Sequence, residues 1–167
     1  MKGIPFVAVL GVALVSAAGG SASAREFAVN GSIHYKVEPT GQVNLAAGRT
    51  LVSQRLVGTI KVDDESAPIN DSSQECVGAF VIQDGQTIEG HGYCVAHDAG
   101  GDTWWLSYAA GPTESAWMVT GGTGKYAGMT GGGNTFYASD AKSITAADGW
   151  MQKISGTLNM GTLNVRN

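Results

Sequence analysis

Three histidines, two cysteines and a long run of glycines are the residues of this chain whose types and spacing could do chemistry. Glu89, His91 and Tyr93 alternate along one short segment. On a strand they would share a face, where a carboxylate, an imidazole and a phenol could move protons. A solvated outer face is the preferred reading, because the large apolar residues of this segment fall on the opposite phase. His97, Asp98 and Asp102 could approach a cation, but they sit in a glycine-rich loop, and no metal is expected. The third histidine is His34. No Gly-x-Ser-x-Gly elbow is present to expose a serine nucleophile, so no catalytic residue is assigned.

The stretch from Thr120 to Gly133, TGGTGKYAGMTGGG, invites a nucleotide-binding reading that fails on its details. A phosphate-binding loop needs glycine five positions before the Gly-Lys pair and serine or threonine after it, and those positions hold Val119 and Tyr126. Gly122, Gly124 and Ala127 nominally fit a dinucleotide fingerprint. That mechanism requires a helix N-terminus facing the pyrophosphate, and Gly128 with Gly131 to Gly133 would break such a helix. No cofactor is expected. The net charge of −4 also provides no basic field for nucleic acid.

Residues 1–24 carry one charge, Lys2, then an apolar run from Ile4 to Val15, then small residues ending Ala22-Ser23-Ala24. This pattern predicts a secretory leader, residues 1–24, cleaved before Arg25, with a single domain over residues 25–167. The run is shorter than the ~20 residues that span a bilayer, so no membrane span is expected after processing. The destination is then the periplasm or the extracellular space, where Cys76 and Cys94 are expected to form a disulfide. Neither a Cys-x-x-Cys pair nor a two-histidine motif accompanies them, which argues against a metal centre. Asn30-Gly31-Ser32 and Asn70-Asp71-Ser72 fit the glycosylation sequon, relevant only in a eukaryotic secretory route.

The elements that must position these residues read as strands. Of 167 residues, 43% are hydrophobic and only 14% charged, enough for one core, and 25 glycines favour turns over long helices. Phe27, Val29, Ile33, Tyr35 and Val37 alternate with polar residues, and so do Val52, Leu56, Ile60 and Val62 after a turn-rich segment from Pro39 to Gly48. Asp63 to Ser73 reads as a polar loop. Strands at Gln74 to Ile82 and Thr87 to Ala96 flank a hairpin signal at Asp84-Gly85. A two-residue turn there would set Cys76 opposite Tyr93 and send the sulfurs to opposite faces. A three-residue loop would set Cys76 opposite Cys94, Gly78 opposite Gly92, Phe80 opposite Gly90 and Ile82 opposite Ile88, and this register is preferred. Further strands are expected at Thr103 to Ala109, Glu114 to Thr120, Gly131 to Ala138 and Lys153 to Val165, with a short helical turn conceivable in Asp140 to Asp148. The expectation is an all-β fold: a single antiparallel barrel of about eight strands, which leaves no exposed edge.

Trp104, Trp105, Tyr108, Trp117 and Trp150 are core by default, filling and sealing a small barrel, and could alternatively line an apolar cavity. Trp104 and Trp105 are adjacent, so one must face outward unless a bulge intervenes. The segment from Gly121 to Gly133 resembles the glycine-rich turn of the allene oxide cyclase and dirigent-like barrels, in which a strand ends in Gly-Gly-Thr-Gly, an aromatic-bearing turn follows and the next strand begins with glycines. The strand inventory extends that resemblance in outline along the chain. It implies a barrel that binds or transforms apolar small molecules, with Tyr126 placed to plug one end. None of those families' catalytic residues can be matched here.

Three functions follow as expectations. The first is an exported, non-catalytic barrel that binds a small apolar ligand or simply persists as a stable envelope protein, with Trp104, Tyr108, Trp117 and Tyr126 as candidate ligand-binding residues. The second, implied by the resemblance, is a cofactor-free isomerase or cyclase. The third is a surface interaction or inhibitor protein using loops such as Asp63 to Ser73.

Overall fold

The computed structural model describes residues 25–137 and 150–160, so the leader, the Asp140 to Asp148 turn and the end of the last expected strand lie outside the described residues. Eight strands, β1 (Arg25–Ala46), β2 (Arg49–Val62), β3 (Ser73–Gln83), β4 (Gln86–His97), β5 (Thr103–Ala110), β6 (Glu114–Gly122), β7 (Thr130–Tyr137) and β8 (Trp150–Met160), form one closed barrel in chain order. Every neighbouring pair is antiparallel, and β8 returns to β1 with Phe27 opposite Leu158 and Ile33 opposite Gln152. Closure follows from the sequence pattern: period-two alternation buries one face of each strand, and joining the first strand to the last leaves no row of unpaired backbone groups. Val29, Ile60, Cys76, Ala96 and Leu158 are among the inward residues, while Asn30, His34 and Lys36 face out.

Two expected turns are corrected. The segment read as a turn from Pro39 to Gly48 is strand as far as Ala46, and pairing continues to Ala46 opposite Arg49. Pro39 sits at a register irregularity, where a missing N–H breaks no regular ladder, and the residues beyond it are exposed on both faces. With neither face buried, no hydrophobic alternation marked them as strand.

The β3–β4 hairpin combines both registers considered for it. Its turn is the two-residue Asp84-Gly85 type, with φ of 49° and 81°, and pairs Gln83 with Gln86 and Ile82 with Thr87. A bulge between Val81 and Ile82 then shifts the register by one. Below it Phe80 faces Gly90, Gly78 faces Gly92 and Cys76 faces Cys94, and the two cysteines are disulfide-bonded. Ile82 therefore faces Thr87 rather than Ile88, and the short turn does not exclude the bond because the bulge absorbs Ile88.

One barrel end is plugged. The loop between β2 and β3 turns Ala67 and Ile69 into the core, which its polar composition concealed. A 3-10 turn, Gly124–Tyr126, tucks Tyr126 in completely, and its hydroxyl donates to the Pro68 carbonyl at 2.5 Å. Gly124 and Gly128, at φ of 51° and 74°, make the sharp corners on either side. Lys125 is held by Asp98 at 2.5 Å, and its backbone N–H donates to Asp102 at 3.1 Å, so the acidic residues considered for a metal anchor the plug instead. Lys125 holds the Asp98 carboxyl below its ordinary range, mainly through this hydrogen bond.

Candidate functional site

The interior above the plug is organised by two aromatic residues on neighbouring strands that lean in opposite directions. Tyr108 on β5 faces Gly92 on β4, which faces Gly78 on β3. The ring lies across both glycines: a Cβ built at Gly92 would stand 2.5 Å from Tyr108 Cζ. Trp117 on β6 faces Gly133 on β7, which faces Gly156 on β8, and a Cβ at Gly156 would stand 2.6 Å from Trp117 Cζ2. Glycines at these strand positions thus give the large rings room to lie against the backbone. Phe80 stacks on Tyr108 with ring centroids 6.0 Å apart, and Trp104 meets Tyr126 at 6.5 Å.

Between these rings and the opposite wall lies a cavity of about 50 Å³. Val29, Ile33, Leu56, Ile60 and Ile154 supply its aliphatic wall, and the Cys76–Cys94 disulfide forms part of its lining. Tyr35, Gln74, Ser115, Thr135 and Gln152 add polar groups. The Tyr35 hydroxyl donates to Gln74 Oε1 at 2.6 Å and lies 3.6 Å from Cys76 Sγ. Ser115 Oγ and the Tyr137 hydroxyl are 2.7 Å apart. Burial first, and then the neighbouring Tyr108 phenol, pushes Tyr35 far above the ordinary tyrosine range. Burial and then Tyr137 do the same to Tyr108. These phenols are neutral hydroxyls at physiological pH. Among the described residues no Asp, Glu, Lys, Arg or His lines the cavity. The lining offers dispersion, aromatic surface and neutral hydrogen bonds, with no side chain that titrates near neutrality.

Of the residues singled out from sequence, Trp104, Tyr108 and Trp117 line this cavity and Tyr126 does not. Trp105 lies on the outside over Gly121, with a register irregularity after it, while Trp104 is buried. Trp150 opens β8 opposite Tyr35. Glu89, His91 and Tyr93 are exposed on the outer wall, with Glu89 3.7 Å from Arg49. Sequence reasoning missed Tyr35 as a polar contributor, and Gln74, Ser115, Thr135 and Gln152 altogether. The available signal was phase: Tyr35, Gln74, Ser115 and Gln152 each occupy an inward position in a strand with apolar residues at other inward positions, whereas Thr135 lies between Gly133 and Tyr137, where no apolar alternation marks the phase.

Some buried polar atoms have no partner among the described residues. They include the indole nitrogens of Trp104 and Trp117, the Tyr108 hydroxyl, and both amide atoms of Gln54, whose strand neighbour is Gly78 beneath the Tyr108 ring.

Comparison with known proteins yields one structural likeness. The pterocarpan synthase dirigent protein GePTS1 superimposes with a TM-score of 0.52 at 14% identity, covering 87% of this chain and 91% of that one. The likeness is one of fold, the dirigent-type β-barrel. No family model and no curated protein matches the chain.

Proposed function

We propose that this dirigent-like barrel is an exported binding protein that holds a small, mainly apolar ligand in its interior without transforming it. The observation that carries the reading is the neutral, aromatic-walled cavity, which lacks an acid or base of ordinary pKa among the described residues. Volume limits the ligand. About 50 Å³ is far below the ~300 Å³ and upward of drug-sized sites. The occupant is therefore a compact molecule of a few heavy atoms, unless Tyr108 and Phe80 leave their places over Gly92 and Gly90. Export rests on the leader-like residues 1–24 and on the buried disulfide, which forms and persists in oxidising compartments. Among the described residues no helix is long and apolar enough to cross a membrane.

A second reading, a cofactor-free isomerase or cyclase resembling allene oxide cyclase, is favoured by the fold likeness to a protein named as a synthase. Fold alone does not carry an activity over. The surface-interaction reading loses ground because the apolar residues of the Asp63 to Ser73 loop, Ala67 and Ile69, are turned inward. Mass spectrometry of compounds that copurify with the protein tests the first two. A small apolar molecule recovered unchanged after prolonged incubation supports binding, and its conversion to an isomer supports the cyclase. Failure of the purified barrel to take up any small apolar probe would overturn both.

A further inference from the structure

Three buried hydrogen-bond donors belong to residues of the cavity lining. Trp104 and Trp117 each bring a buried indole N–H, and Tyr108 a buried hydroxyl, with no partner among the described residues. An indole N–H can only donate. Of the polar lining groups, Gln74 Oε1 accepts from Tyr35 and Ser115 Oγ pairs with Tyr137, and neither bonds to these donors. Native interiors rarely leave donors unpaired, because each lost its hydrogen bonds to water on burial. We infer that the ligand carries a neutral hydrogen-bond acceptor, a carbonyl or ether oxygen on a compact apolar frame, received by one of these unpartnered donors, the Trp104 indole, the Trp117 indole or the Tyr108 hydroxyl.

The acceptor must be neutral. No lysine, arginine or histidine lines the cavity among the described residues, so a carboxylate or phosphate would be buried as an unpaired charge. The indoles cannot satisfy one another, so an acceptor on the ligand would give them the partner that they lack among the described residues. This inference rests on the interior-binding reading and adds to it the polarity of what is bound.

The test uses the unmodified protein and two probes of matched shape, cyclopentanone and methylenecyclopentane, each titrated while the indole N–H signals are followed by nitrogen-15 NMR. Trp104→Phe and Trp117→Phe spectra assign those signals. The ketone loses hydrogen bonds to water on entering and the hydrocarbon does not, so a cavity without available donors would favour the hydrocarbon. The expected result is that the ketone binds at least as tightly as the hydrocarbon and moves at least one of the Trp104 and Trp117 indole protons downfield, while the hydrocarbon leaves both nearly in place. Hydrocarbon binding tenfold or more tighter, with unmoved indole signals, overturns the donor inference and leaves interior binding standing. Absence of binding by either probe at millimolar concentration overturns interior binding itself and the inference with it.

Discussion

Tyr108 on β5 reaches across the full width of β4 to lie over Gly78 on β3, where an added Cβ would stand 3.1 Å from its ring Cζ and closer still to its hydroxyl. A phenol from one strand is thus seated on a bare backbone two strands away, and the shape of the interior depends on that seat.

Gly78→Ala should therefore lower the unfolding free energy by about 1–3 kcal/mol, the usual range for forcing extra volume into a packed interior. In a Tyr108→Ala background the same substitution should cost less. Part of the penalty should remain, because the new methyl also meets the His91 carbonyl at 2.8 Å. Urea unfolding of the four proteins in this cycle measures the coupling. Equal costs in both backgrounds would mean that Tyr108 does not depend on the glycine floor.

Removing the cross-strand disulfide should destabilise the barrel without changing its architecture. The cysteines are 18 residues apart, for which the chain-entropy model gives about 3 kcal/mol. Cys76→Ala/Cys94→Ala should show that loss in equilibrium unfolding while keeping the far-UV spectrum of a β protein. Thiol titration of the unreduced, denatured wild type should find no free thiol, and two free thiols would contradict the bonded pair.

The tyrosines should govern stability at alkaline pH. Tyr35, Tyr108, Tyr126 and Tyr137 are all raised above the ordinary phenol value, burial being the first cause in each. A folded-state pKa above the unfolded one contributes stability that is complete below about pH 10 and is lost as pH rises beyond it. Phenolate absorbance from these four residues should therefore appear together with unfolding. Their ionisation in a still-folded protein at pH 10 would show that solvent reaches the interior.

At acid pH the sign reverses. Hydrogen bonds from Lys36 and Arg55 lower Glu38, one from Arg55 lowers Glu75, and one from Lys125 lowers Asp98. Depressed carboxyls contribute stability that is present above the unfolded value of about 4 and lost as pH falls through the folded one. Thermal melting should thus be flat near neutrality and fall below about pH 4. Arg55→Met should flatten that acid limb, since Arg55 joins Glu38 at 2.9 Å and Glu75 at 2.6 Å across neighbouring strands.

N-terminal sequencing of protein recovered from the exported fraction should begin at or within a few residues of Arg25, because Ala22 and Ala24 have the small side chains that leader cleavage requires. Intact Met1 in a membrane fraction would contradict export by this route.

The strand phases and the outward placement of Glu89, His91 and Tyr93 were legible in the sequence because each is a local property of alternation, and the disulfide partners because the chain has only two cysteines. A side chain's face follows from its parity within a strand, whichever strand lies beside it. The same parity marked Trp104, Tyr108 and Trp117 as inward. The β1–β2 extension beyond Pro39 was not legible, since two exposed faces leave no hydrophobic contrast, and the bulge that reconciles the Asp84-Gly85 turn with the Cys76–Cys94 bond is a displacement of one residue that no pattern announces.

What only the tertiary structure decided is what meets what across the interior. Gly78, Gly92 and Tyr108 are distant in sequence and acquire a common purpose only when β3, β4 and β5 are set side by side, and the same holds for Trp117 with Gly133 and Gly156. The hydrogen bond from Tyr35 to Gln74 passes over Gly58 on the strand between them, and that of Ser115 with Tyr137 runs diagonally between the neighbours β6 and β7, so both depend on strand register, as do the donors left over at Trp104, Trp117 and Tyr108. Parity determines which residues enter the interior, whereas strand register and shear determine their height and their neighbours there, and those are properties of the closed sheet as a whole.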